Sequence, residues 1–251
     1  MPLGTQVRPA SLRGRTVKEL QTLDERAIIR TLEVLRNRVA ERFPTRGLTQ
    51  TASHLLDVSR ITAAEAAGLR KPHWGIRVVS FLAVLAALAG FGVLFGFFSV
   101  ILDREIGLAE FAQGLEAALS IILISGIIIG FFFRLENRRK RTKALNGLYR
   151  LRAISHVIDM HQLTKDPAVI VGTQRTSSSP LRDLNTEQLM RYLDYCTEML
   201  SLTGKLAALY AQYFPDATVV AAVNDVEQLT TNLSRKIWQK IVLVQQTPTA
   251  A

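Results

Sequence analysis

VVSFLAVLAALAGFGVLFGFFSVIL, residues 78–102, is a run of 25 residues without a charge. That exceeds the ~20 residues that carry a helix across a bilayer. AALSIILISGIIIGFFF, residues 117–133, follows with 17 more, and at ~1.5 Å rise per residue it reaches about 26 Å, close to the hydrocarbon thickness. Two spans, about 78–102 and 115–133, joined by a short loop predict an all-α membrane protein built on a transmembrane hairpin over residues 76–133.

The flanks orient it. Arg70, Lys71 and Arg77 precede the first run, and Arg134, Arg138, Arg139, Lys140, Arg141 and Lys143 follow the second, whereas Arg104 in the loop stands against Asp103, Glu105, Glu110 and Glu116. Lysine and arginine accumulate on the cytoplasmic side. Both termini are therefore expected there, with the loop outside, and a bacterial inner membrane is the expected location. Trp74 falls at the inner interface, where indole rings prefer to sit.

Small residues recur at four-residue spacing in both runs: Ala83 and Ala87, Gly92 and Gly96, Gly126 and Gly130. Such pairs let helix backbones approach closely in lipid, and packing within the hairpin is the expected use, with packing between chains as the alternative. The polar residues inside the runs are Ser80, Ser99, Ser120 and Ser125. Ion pathways and proton relays usually reveal themselves as intramembrane charges, so these runs read as an anchor.

The soluble parts carry helical periodicity. After a basic tail (1–15), residues 16–71 form N-terminal helices: Thr16 and Glu19 have capping-box spacing, and Leu20, Ile28, Leu32, Leu35 and Val39 make an apolar stripe that should stop near Pro44 and Gly47. A weaker helix is expected over 51–67, with Gly68 as its C-cap. Residues 134–165 contain no proline and read as a basic juxtamembrane helix with Leu145, Leu148, Leu151, Ile154 and Ile158 on one side. In 166–185, AVIVG suggests a short extended segment and TQRTSSSP a linker. Residues 186–246 read as a helical hairpin: Asn185 and Gln188 can cap a helix with Leu189, Leu193, Cys196, Leu200, Thr203, Ala207, Tyr210 and Phe214 at alternating four and three. Pro215 breaks it. Val219, Val223, Val226, Thr230, Leu233, Ile237, Lys240 and Val244 repeat the spacing. These faces offer helix–helix interaction within the hairpin, with the juxtamembrane helix, or with another chain.

The net charge of +10 is unevenly spread. Residues 1–75 hold 13 basic and 7 acidic side chains, residues 134–166 hold 9 and 3, and everything from Pro167 onward is balanced at 7 and 7. The excess lies against the cytoplasmic leaflet. It fits topology, and it fits attraction to anionic lipid, where each Lys or Arg contributes about 1 kcal/mol. The basic segments match no nucleic-acid readout motif, so no nucleic-acid partner is expected.

HVIDMHQLTKDP, residues 156–167, gathers two histidines and two aspartates that could ligate a metal. On a helix, however, His156 and His161 are about 140° apart. His156 and Asp159 have the right spacing, but zinc needs about three or four ligands, and His54 and His73 lie far off in sequence. The stretch reads better as the last turns of a packed helix, and no metal site is expected. Cys196, the single cysteine, excludes an internal disulfide or multi-cysteine cluster. It occupies a heptad core position, which makes it a poor nucleophile. Gly204-Lys205 lacks the upstream glycine of a phosphate loop, and no dinucleotide fingerprint occurs. No cofactor or catalysis is expected. The first 70 residues hold no apolar run resembling a signal peptide.

Two expectations follow. The first is a non-enzymatic membrane-anchored scaffold or adaptor that homo-oligomerises or recruits a helical partner. The second is a subunit of a small homo-oligomeric channel or transporter. In span count alone the layout resembles the magnesium-transporter and calcium-uniporter families, but the loop DREIGLAEFAQG (103–114) has neither the Gly-Met-Asn signature nor an acidic, proline-containing filter. With about a dozen residues the loop is also too short for an external ligand domain, which needs at least ~40.

Overall fold

Asp24 decides where the first helix begins. Its side chain accepts a hydrogen bond from the Arg26 backbone N–H (2.9 Å), the usual role of an N-cap aspartate. The computed structural model describes residues 22–71, 74–101, 108–163, 165 and 184–246, and every element in them is an α-helix. We number these α1 (Glu25–Arg42), α2 (Gly47–Arg70), α3 (Trp74–Ile101), α4 (Leu108–Leu163), α5 (Thr186–Tyr213) and α6 (Ala217–Gln246). The tail, the Thr16/Glu19 box, the AVIVG segment and the serine-rich linker lie outside the described residues, as does most of the loop before α4. The chain divides into two compact units, Met1–Ala66 with Gly147–Ala251, and Ala67–Asn146.

In the first unit, α1 buries Ile28, Leu32, Leu35 and Val39, each contributing about 1.5–3 kcal/mol of apolar burial. Leu20 lies outside the described residues, and helix α1 starts only at Glu25. The reason is a competing partner: Gln212 of α5 accepts from the Leu23 N–H (2.7 Å) and donates to the Leu23 carbonyl (3.2 Å), holding Leu23 in a non-helical conformation with its backbone groups satisfied.

Helix α2 also departs from expectation. It starts at Gly47 rather than Thr51 and runs through Gly68 to Arg70, so Gly68 is not its cap. Gly47 starts α2 instead of ending α1, and what faces it calls for a glycine: a Cβ there would lie 2.7 Å from Cε1 of His161. Phe43, between α1 and α2, is buried and meets Tyr192 edge-on at 5.5 Å.

Asn185 and Gln188 form a reciprocal capping box at the start of α5. The chain turns at Pro215, and Asp216 accepts from the Thr218 N–H (3.1 Å) to start α6. Leu189, Leu193, Cys196, Leu200, Val223, Val226, Leu233 and Ile237 are all buried. Gly204 marks the closest approach of α5 and α6, since an added Cβ would lie 3.1 Å from Thr230 Oγ1. The C-terminal part of α4 adds Leu148, Leu151, Ile154 and Ile158 to the core.

The second unit holds α3 and the N-terminal part of α4. Among the described residues one stretch, within Ala112–Leu163, is long and apolar enough to cross a membrane by length and composition, and none of its apolar window is buried inside the chain. Around it Leu119, Ile122, Leu123, Ile127 and Phe131 are exposed. Helix α3 carries the other apolar run on 28 residues, with Phe81, Leu88 and Phe95 exposed.

Candidate functional site

The histidine–aspartate stretch forms the last turns of α4, and the structure separates its polar groups. His156 is exposed. His161 turns inward, with Nε2 2.7 Å from the Thr51 hydroxyl. Thr51 already donates to the Gly47 carbonyl (3.1 Å), which leaves its oxygen to accept from the imidazole. Burial and the nearby Lys165 ammonium lower the His161 pKa below its usual value, so the neutral ring is the favoured form. Asp159 accepts from the Gln162 amide (2.6 Å), and Lys240 of α6 donates to Gln162 through its side-chain oxygen (2.6 Å) and its carbonyl (3.3 Å). This arrangement ties α4 to α2 and α6. Among the described residues no group of three His, Cys, Asp or Glu is placed to hold a metal.

A second polar cluster was not visible in the sequence. Glu65 of α2 pairs with Arg150 of α4 and accepts from the Tyr210 hydroxyl of α5 (3.0 Å). Tyr210 is fully buried, and burial together with the Glu65 carboxylate raises its pKa. The phenol is therefore a fixed donor, with no tendency to ionise near neutrality. Gly147 supplies the room: a Cβ there would overlap the Tyr210 Oη and Cζ, with Cε2 at 3.0 Å. A glycine inside a long helix was the available signal, because it lowers helix stability by about 1 kcal/mol relative to alanine without a packing reason.

Cys196 is buried with its pKa pushed up to about 12, chiefly by desolvation. A thiol with that pKa does not supply a thiolate at neutral pH. An open groove of about 820 Å³ runs between α5 and α6 beside Thr31, lined by Thr197, Ser201, Lys205, Thr231 and Ser234. Lys205 donates to the Ser201 hydroxyl (2.8 Å) within one helix, and the carboxylates of Glu198 and Glu227 line the same groove.

The membrane-flanking residues divide. Arg70, Lys71, Arg134, Arg138, Arg139, Arg141 and Lys143 are exposed, and Arg77 lies in the first turn of α3. Lys140 is covered instead, its ammonium 2.8 Å from Glu136 and both side chains about nine-tenths covered. At Gly92, Gly96, Gly126 and Gly130 an added Cβ would meet nothing within 4 Å. At Gly90 a Cβ would lie 3.9 Å from Ile121, in ordinary van der Waals contact. A residue two positions on is about 200° around a helix, so Gly92 faces away from the side on which Gly90 meets α4. Ala87 is half-exposed, and the side chain of Ala83 lies outside the description.

Comparison with protein-family models, with curated proteins and with solved structures finds no match for this chain.

Proposed function

We propose that this chain is a non-enzymatic integral membrane scaffold: α3 and the apolar part of α4 form a two-span hairpin, both termini lie in the cytoplasm, and the helical unit holds a partner or another copy at the membrane. One observation carries the reading. Helix α4 is continuous over 56 residues, with an apolar stretch none of whose residues is buried inside the chain and, further on, side chains that complete the core of the helical unit. Anchor and domain share one element. Apolar side chains exposed at this density are supported by lipid rather than water, and the acidic loop between basic flanks favours the cytoplasmic placement of the ends. The exposed arginines and lysines around the runs suit anionic lipid headgroups. The proposed location is a bacterial inner membrane.

Extraction directly into native nanodiscs, followed by mass measurement and identification of co-purifying chains, tests this. The scaffold reading predicts a small complex, either a dimer or a monomer with a stoichiometric second protein. A closed ring of four or more copies that passes ions through liposomes would replace it with a pore.

A further inference from the structure

The heptad rows of α5 and α6 are buried within the chain, so a partner has to meet another surface. Besides Val34 on α1 and Trp238 and Leu243 on α6, five large apolar side chains of the helical unit stay exposed on α4 or beside it: Tyr149 (62%), Val157 (42%), Met160 (66%) and Leu163 (59%) on α4, and Ile61 (50%) on α2. On α4 the inward row is Leu148, Leu151, Ile154, Ser155, Ile158 and Gln162. The outward row, Tyr149, Ala153, His156, Met160 and Leu163, is exposed throughout and alternates by four and three. Val157 lies one heptad after Arg150 and four residues before His161, the two residues that meet Glu65 and Thr51 of α2. Ile61 is four residues before Glu65, so both border the α2–α4 seam. A helix apolar on two faces is ordinarily covered on both. Five such side chains, each about half exposed, present roughly 500 Å², a patch size that marks interaction on a monomer and most of the ~800 Å² each partner gives to a stable interface.

We propose that this face is covered by a second copy of the chain, the outward rows of two α4 helices packing on each other about a two-fold axis normal to the membrane. The inference rests on the membrane-anchored reading above. Two features select a second copy. The four-three alternation is the spacing by which identical helices interlock side by side. A self-complementary interface needs only one patch, and one is present.

Single-cysteine cross-linking in native nanodiscs tests the pairing, because buried Cys196 leaves an introduced cysteine as the reactive thiol. Ala153→Cys and Met160→Cys are expected to give disulfide-linked dimers under mild oxidation, and Gln228→Cys, exposed on α6, is expected to give none. Met160→Glu places two unpaired carboxylates in the contact and should weaken association by at least about tenfold, with the melting of the helical unit unchanged. Should that variant fold poorly, the two row cysteines still decide. Dimers in the mass spectrum that cross-link only at position 228 would overturn this pairing and leave the scaffold reading intact. Monomers without cross-links, whether or not another protein covers the face, would also overturn it. A chain that leaves the membrane fraction would overturn both.

Discussion

Gly147→Ala is the sharpest test of the packing that joins α4 to α5. In the native chain the new methyl group overlaps the Tyr210 ring and hydroxyl, and Tyr210 is fully buried with its hydroxyl bound to Glu65, so neither side can yield freely. Overpacking of this kind costs about 1–3 kcal/mol or more. The gain in helix propensity returns up to about 1 kcal/mol, so the net expectation is a loss of roughly 1–2 kcal/mol. In a Tyr210→Leu background the obstruction is gone, and the same alanine should be neutral or stabilising by up to about 1 kcal/mol. The sign should therefore reverse, giving a coupling of about 1–3 kcal/mol between contacting sites. Thermal unfolding of the four proteins in nanodiscs, followed by circular dichroism, reads this as ~2–4 °C per kcal/mol for a chain of this size. Equal losses from Gly147→Ala in both backgrounds would refute the account of the cluster.

Other residues give independent checks. Lys240→Met removes a charged donor from Gln162 and should lower stability by roughly 1.5–3 kcal/mol; Lys236→Met, exposed on the same helix, should stay within about 0.5 kcal/mol, and equal melting temperatures for the two would sink the assignment. Because the folded-state pKa of His161 is lowered, the unfolded chain takes up that proton more readily. Its stabilising contribution is complete above the usual value of ~6.5 and is lost as pH falls towards the lowered value. Melting temperature should thus drop on acidification more steeply for the native chain than for His161→Gln; parallel curves would contradict this. Cys196, with its pKa near 12, should resist iodoacetamide at pH 8 until the chain is unfolded, and stoichiometric alkylation of the native protein would show that the thiol is not buried.

The helical class and most of the core were legible because side-chain periodicity reports them directly. The rows through Leu189 and Val219 became buried faces, and the Asn185/Gln188 box became a cap. Boundaries set by distant partners were not legible. The start of α1 depends on Gln212 holding Leu23, and the need for glycine at position 47 comes from His161, contacts that join residues far apart in the chain. The Glu65–Arg150–Tyr210 cluster was hidden for the same reason. Spacing alone did not give the helical phase of the glycines in the apolar runs: Gly90 is the one that meets α4, which turns Gly92 to the other side of α3.

The central claim is that an apolar hairpin anchors a cytoplasmic helical unit. Single cysteines at Ala109, at the exposed start of α4, and at Gln228, exposed on α6, can be treated in intact cells with a membrane-impermeant maleimide, with Cys196 buried and silent. The account predicts labelling at 109 from outside and at 228 only after permeabilisation. Labelling of both positions, or of neither, in intact cells would contradict it.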